Sequence, residues 1–136
     1  MARKHGRTPL QWYTMDLHIH TPASSDYQQN GVEYIDILKQ AESRGLHMIA
    51  FTDHNTVAGL LPEEKSRLTE YRRLLQKILV LPGFEFTATF GFHILGIFSP
   101  DKPVREIEHI LLNLHIPAEH LDDGSVTVGA SSDVLT

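Results

Sequence analysis

The 136-residue sequence contains no cysteine, which excludes disulfides and thiolate metal ligands. Its longest apolar runs, Met48 to Phe51 and Ile78 to Leu81, are far short of the roughly 20 residues that a membrane-spanning helix needs. Basic residues near the N-terminus are not followed by an apolar segment, so no signal peptide is predicted. These absences predict a cytoplasmic protein that does not enter a membrane.

An excess of positive charge is also missing. The chain has 12 basic and 17 acidic residues, and its formal net charge of −5 disfavours a protein that coats nucleic acid. A hydrophobic content of 41% and a charged content of 21% are typical of a folded globular domain. The unusual feature of the composition is its nine histidines.

Residues 12–20 alternate between apolar and polar side chains, which predicts a β-strand. The expected apolar face consists of Tyr13, Met15, Leu17 and Ile19, and the polar face of Thr14, Asp16, His18 and His20. Two histidines on one face of a strand can converge on a divalent ion, but they can equally face water on an edge strand. This segment alone does not decide between the two interpretations.

The rest of the sequence predicts an α/β protein of order β-α-β-α-β-β-α with mostly parallel strands. The first expected helix has an apolar stripe over 32–41 and ends at Arg44-Gly45; a strand over 47–54 follows, and then a helix that begins near Pro62. The next strand region covers 78–89 and is expected to be interrupted at Pro82-Gly83. A strand over 92–98 and a helix over 103–114 complete the order. Residues 1–11 are predicted to form a flexible basic arm, 12–114 the domain, and 115–136 a polar tail leading into an unbuilt helix.

Polar residues recur where the predicted strands end, which is where α/β folds place their sites. Asp53-His54 ends the second strand, Glu85 lies between two phenylalanines, and His93 opens the following strand. A buried glutamate needs a cation or a proton. The candidate ligands are His18, His20, Asp26, His54, Glu85 and His93. Their nitrogen and oxygen atoms suit Zn²⁺, Mn²⁺ or Fe²⁺.

Each of these residues alone has an ordinary explanation, such as a helix cap, a lysine partner or a hydrogen-bonded core histidine. Their recurrence at successive strand ends favours a metal cluster. The other five histidines do not follow strands in this way, and we expect them to be structural or exposed: His5, His47, His109, His115 and His120. Arg72, Arg73 and Lys77 lie on a predicted helix that also contains Glu63, Glu64 and Glu70, which is typical of a solvated face.

Four segments resemble the first three motifs of the PHP (polymerase and histidinol phosphatase) family: Asp16 to Thr21, Phe51 to Asn55, Pro82 to Phe86 and Phe92 to Gly96. The resemblance covers residues 12–98 and holds in order and spacing as well as in residue type. It implies the N-terminal portion of a distorted β/α barrel of the TIM-barrel-like kind. It also implies a centre of up to three divalent metal ions that hydrolyses phosphate esters.

The resemblance further implies roles for individual residues. His18, His20 and Glu85 would share one metal ion and form the catalytic group. Glu85 would bridge to a second ion that His93 also holds, and Asp26 and His54 would hold a third. Asp16 and Asp53 would orient the ligands from behind. No serine nucleophile is implied, so Ser24 and Ser25 are expected to make loop hydrogen bonds.

The later motifs of the family have no counterpart in this sequence. Because a complete β/α barrel takes about 200–250 residues, we expect a truncated chain that self-associates or needs a missing C-terminal partner segment. Two functions therefore remain open. One is a phosphoesterase in which a metal-activated hydroxide attacks a phosphate ester such as a nucleotide or a nucleic-acid end. The other is a catalytically incompetent metal-binding module of a larger nucleic-acid-processing or ATPase-linked protein.

Overall fold

The computed structural model describes residues 9–24, 27–57, 68–88, 91–114, 116, 119 and 127–128. These residues form β1 (Met15–Ile19), α1 (Tyr34–Ser43), β2 (Met48–His54), α2 (Thr69–Lys77), β3 (Leu79–Ala88), β4 (His93–Ile97), α3 (Val104–Asn113) and β5 (Thr127–Val128). The order agrees with the predicted one, with a short strand added. Within the described ranges, no helix has the length and apolar character needed to cross a membrane.

A single curled sheet, shaped like half of a barrel, contains the strands in the order β1-β2-β3-β4. β1, β2 and β3 are parallel, and β4 returns antiparallel to β3. Parallel neighbours bring their C-terminal ends to the same edge of a sheet, and here His54 at the end of β2 pairs directly with Glu85 of β3. The predicted strand ends therefore do meet.

All three described helices cover one face of this sheet. From β2, Ile49 and Phe51 pack against α1 and α2. From β3, Phe84 and Phe86 pack against α3. Phe84 pairs with Asp53, which alternates in phase with Phe51, so both clusters lie on the same side. The opposite face is left for Thr52, His54 and Glu85.

The predicted interruption at Pro82-Gly83 is wrong, because β3 runs through both residues. The Pro82 carbonyl accepts a hydrogen bond from the Phe98 N–H at 2.9 Å, just after β4 has ended. In an extended strand the N–H and the C=O of one residue point to the same edge, so the N–H that Pro82 lacks would also face the β4 side. Because β4 has already ended at this level, none of its residues needs that N–H as a hydrogen-bond donor. At Gly83 a Cβ would overlap the Gly96 carbonyl oxygen, so glycine allows the two strands to approach closely.

The predicted alternation of β1 also fails at one position. Asp16 pairs with Ile49, whereas Ile19 pairs with Phe51, so β1 contains one extra residue between these pairs. Such a β-bulge reverses the facing of residues on one side of it. Asp16 therefore shares the helix-covered face with Ile49, and the expectation that it shares the face of His20 is wrong. β1 also begins at Met15 rather than Trp12.

The tail contains a strand that the sequence did not indicate. β5 pairs in parallel with Thr87 and Ala88 of β3. Since His93 of β4 occupies the other side of Thr87, β5 lies on the β2 side, beyond the end of β2. Several predictions concern positions outside the described residues: positions 1–8 of the arm with His5, the loop residues Ser25 and Asp26, the helix start near Pro62, His115 and His120, and the helix start at 131–136.

β1 is the first strand of the sheet order, and no described strand pairs with its second edge. Apolar side chains precede it in exposed positions, among them Leu10, Trp12 and Tyr13. Open edges and exposed apolar groups favour association with another chain. Self-association nevertheless stays a prediction, for which sedimentation of dilute protein is the direct measurement.

Two adjacent leucines of α3 test how this helix packs. Leu111 is buried against the cluster of Phe84 and Phe86, whereas Leu112 is half-exposed. Leu111→Ala should lower the free energy of unfolding by about 2–5 kcal/mol, because it leaves a cavity. Leu112→Ala should change it by less than about 0.5 kcal/mol. Denaturant titration of both variants measures this, and equal losses would contradict the described orientation of α3.

Candidate metal centre

One buried carboxylate is the centre of the site. Glu85 is 2% exposed and lies on the face of β3 that the helices leave uncovered. Its Oε2 atom lies 2.9 Å from His18 Nε2 and 2.7 Å from His20 Nε2. The two imidazole nitrogens are 3.3 Å apart. The His-x-His segment therefore converges on Glu85, as the sequence predicted.

Two further imidazoles complete the group around Glu85. His54 Nδ1 lies 3.5 Å from Oε2, and the rings of His20 and His54 meet edge to face with centroids 4.5 Å apart. His93, from the antiparallel strand, lies with Nδ1 3.2 Å from the other oxygen, Oε1. Both oxygens of the Glu85 carboxylate are thus contacted: three imidazoles contact Oε2, and the imidazole of His93 contacts Oε1.

The electrostatics favour an ionised glutamate. Burial by itself raises the pKa of Glu85, but hydrogen bonds with His18 and His20 and the nearby charge of His54 outweigh it, so the pKa lies below the ordinary value. The Nε2 atoms of His18 and His20 face the same glutamate oxygen and also face each other. A cation bound between these three atoms would hold them together more effectively than hydrogen bonds that share protons among them.

The residues fit a divalent metal. His18, His20 and Glu85 each offer one ligand atom, and these atoms all lie within 4.8 Å of one another. Ligand atoms bound tetrahedrally to one zinc ion lie about 3.3–3.6 Å apart. The separation of the two Nε2 atoms, 3.3 Å, falls in this range, and the shorter contacts to Glu85 would open by about half an ångström.

The other predicted ligands and their supports are placed differently. Asp26 lies outside the described residues. Asp16 accepts a hydrogen bond from the backbone N–H of His18 at 3.1 Å. Asp53 accepts hydrogen bonds from Thr21 and Ser24, so the prediction that Ser24 makes loop hydrogen bonds is confirmed. Burial holds the pKa of Asp53 above its ordinary value, while these hydrogen bonds act against that shift.

Some features of the site had no sequence signal. In the sequence, Thr21 beside a proline looks like an ordinary polar loop residue. In the structure it is fully buried, and its hydroxyl donates a hydrogen bond to Asp53. A cleft of about 770 Å³ opens beside His18 and His20, between β1 and α1. Its polar lining includes Gln28, Gln40 and Arg44. Isolated glutamines and an arginine at a helix end are typical of any solvated surface, so the pattern did not single them out.

Two other predictions are confirmed. The Arg73 guanidinium pairs with Glu42 at 2.7 Å and with Glu70 at 3.0 Å, and Lys77 also pairs with Glu42, as expected for a solvated helix face. His47 is structural: its Nδ1 accepts a hydrogen bond from the backbone N–H of Thr14 at 3.0 Å. These contacts connect α2 to α1 and the residue that precedes β2 to the residue that precedes β1.

No protein-family model matches the chain. The chain is similar to an uncharacterized protein of Methanocaldococcus jannaschii, with 31% identity over 109 residues that cover 68% of this chain and 60% of the relative. It is also similar to an error-prone DNA polymerase of Symbiobacterium thermophilum, with 25% identity over 105 residues that cover 76% of this chain and 9% of the polymerase. The chain thus spans less than two thirds of either relative.

Two solved structures are similar over most of the chain. One, from Bifidobacterium adolescentis, is proposed to be a metal-dependent phosphoesterase; it is 28% identical, with a TM-score of 0.46, over 75% of this chain and 33% of that one. The other is an amidohydrolase from Chromobacterium violaceum, 21% identical with a TM-score of 0.45, over 84% of this chain and 40% of that one. At these TM-scores, neither likeness carries a conclusion about this chain.

The position of Glu85 predicts the effect of removing its charge. Glu85→Gln should lower the number of bound metal ions more than any single histidine substitution, because both of its oxygens face imidazoles. Metal content after equilibration with Zn²⁺ measures this. Glu106→Gln, on the exposed side of α3, is the matched control, and His109→Ala controls for a histidine outside the group. If Glu85→Gln and these controls retain equal metal, the assignment fails.

Proposed function

We propose that this chain contains the metal centre of a PHP-type, metal-dependent phosphoesterase. The observation that supports the proposal is the buried Glu85 with imidazoles on both of its oxygens. A buried carboxylate surrounded by imidazole nitrogens has little value for stability by itself, since replacing buried charges with apolar groups is often neutral or stabilising. It is the donor set that a divalent ion requires.

The proposed ligand sets follow the two oxygens of Glu85. His18, His20 and Glu85 would hold one ion, and Glu85 would reach a second ion held also by His93. His54, with Asp26, would hold a third. Bound divalent ions would supply an activated water as the nucleophile and neutralise the charge that develops on the phosphate.

The chain itself contributes shape and access. Glu85 is shielded from solvent, but the side chains of His18 and His93 are 50% and 59% exposed. A phosphate group can therefore approach from the side of these two imidazoles, while the buried carboxylate stays behind them. The adjacent cleft between β1 and α1 has room for the alcohol part of an ester. Its glutamines can donate hydrogen bonds to that part.

For the substrate, we propose a nucleotide or a nucleic-acid end as one class to test. The similarity to a DNA polymerase supports this class, although the chain spans 9% of that protein. A small phosphomonoester is the other class, because nothing among the described residues of the site requires a base or a polymer. A comparison of the two substrate types under identical metal loading would rank them.

Metal content and turnover together test the function. Purified chain loaded with Zn²⁺ or Mn²⁺ should bind at least two ions and hydrolyse a generic aryl phosphate, and chelation should abolish turnover. Because an imidazole nitrogen binds metal only when it carries no proton, metal affinity should fall as the pH is lowered and the histidines become protonated. One weakly held ion and no turnover would instead identify a catalytically incompetent metal-binding module.

The unequal ligand sets predict unequal affinities. The ion held by His18, His20 and Glu85 has three protein ligands, which suffice for a catalytic type of site with an open position. The other two positions have two each. Calorimetric titration with Zn²⁺ should therefore show one tight class and a much weaker one. Three equally tight ions would contradict the proposed division of ligands.

A further inference from the structure

The turn that follows His20 is fastened to β2 by a second buried carboxylate. Asp53 is 1% exposed and accepts three hydrogen bonds from this turn. The donors are the Thr21 backbone N–H at 2.6 Å, the Thr21 hydroxyl at 2.7 Å and the Ser24 hydroxyl at 2.8 Å. Thr21 and Ser24 are themselves buried. We call these three residues the Asp53 network.

The Asp53 network reaches the backbone of two site histidines. The Thr21 N–H belongs to the peptide bond that follows His20, so its hydrogen bond fixes the chain carrying that imidazole. The Ser24 hydroxyl oxygen accepts a hydrogen bond from the backbone N–H of His54 at 3.1 Å. These two histidines come from different strands, and their rings lie 4.5 Å apart. One carboxylate therefore fixes both sides of this ring contact.

Within the residues that the structure describes, no lysine or arginine forms an ion pair with Asp53. Burying a carboxylate without a cation is costly, and its hydrogen bonds recover only part of that cost. Costly buried polar groups of this kind are concentrated at functional sites, where they fix the geometry of neighbouring groups.

We propose that Asp53 is a positioning residue for metal binding: through Thr21 and Ser24 it fixes His20 and His54 on Glu85 before any ion arrives. The effect on metal binding rests on the proposed function, whereas the hydrogen bonds of the Asp53 network do not depend on it. It differs from direct orientation of an imidazole by a carboxylate, because Asp53 acts on the backbone next to each histidine. Loosening the network leaves the ligands present but unordered, so metal binding must then order them.

The test uses Asp53→Asn and Ser24→Ala in the full chain. Asp53→Asn places an amide N–H₂ group against hydroxyl and N–H donors, and Ser24→Ala removes only the connection to His54. Asp53→Asn should weaken Zn²⁺ binding by about 10–100-fold, the usual effect of losing a group that supports metal ligands. In the metal-free protein, the imidazole nuclear magnetic resonance signals of His20 and His54 should shift, while that of His93 stays in place.

The matched controls are Asp101→Asn, in the loop between β4 and α3, and Ser43→Ala, at the exposed end of α1. Neither should change Zn²⁺ affinity or the imidazole signals. If Asp53→Asn lowers only the stability and leaves Zn²⁺ affinity and the His20 and His54 signals as in the wild type, the residue is merely structural and the proposal is overturned. If Asp53→Asn does not fold, Ser24→Ala decides through the His54 signal.

These readouts separate the inference from the proposed function. Failure of the wild-type chain to bind Zn²⁺ would overturn the proposed function. The positioning role would then be judged on the imidazole signals of the metal-free variants alone. Shifts confined to His20 and His54 would support it, and unchanged signals in both variants would overturn it.

Discussion

The convergence of four imidazoles on the ionised carboxylate of Glu85 is the interaction on which the site depends. It requires β1 and β2 to end beside Glu85 of β3 and a fourth strand to return beside it, which the parallel pairing of β1, β2 and β3 and the antiparallel pairing of β4 provide. The helices contribute indirectly. By covering the other face with apolar contacts, they fix the relative position of strands whose polar ends meet.

Two buried carboxylates on adjacent strands have different environments. Glu85 is contacted by imidazoles, which hold its pKa down, whereas Asp53 is contacted by hydroxyl and backbone donors and has a raised pKa because burial dominates. Only Glu85 faces groups that can share a cation with it. Two carboxylates thus have different uses: Glu85 is placed to bind a metal ion, and Asp53 is placed to fix the backbone.

Much of the site was predictable from sequence, because residue type and strand position both carried information. His18, His20, His54, Glu85 and His93 each stand at or near the end of an apolar strand, and the structure brings all five together. The fold class and element order followed from the same periodicity. Polar residues within apolar strands are costly to bury, which is why their pattern is informative.

The failures have equally definite causes. Asp16 was assigned to the wrong face because a β-bulge changes register without changing the sequence period. The break at Pro82-Gly83 was expected from local propensity, but the strand pairing is set by a neighbour that ends at that level. Thr21 was missed because burial of a loop hydroxyl depends on a residue 32 positions away. Each of these depends on a tertiary partner that no local pattern specifies.

The β3–β4 pairing has a consequence for how the site is assembled as the chain folds. Glu85 and His93 belong to one hairpin, so their contact needs only a short loop to close, and hairpins form within about 1–10 μs. His18 and His20 reach the same carboxylate only across 67 and 65 residues of sequence, through two crossover connections. Contacts of such separation carry a larger loop-closure cost than the contact within the hairpin. Most of the entropic cost of assembling the centre therefore lies with the two histidines of β1, and little of it with His93.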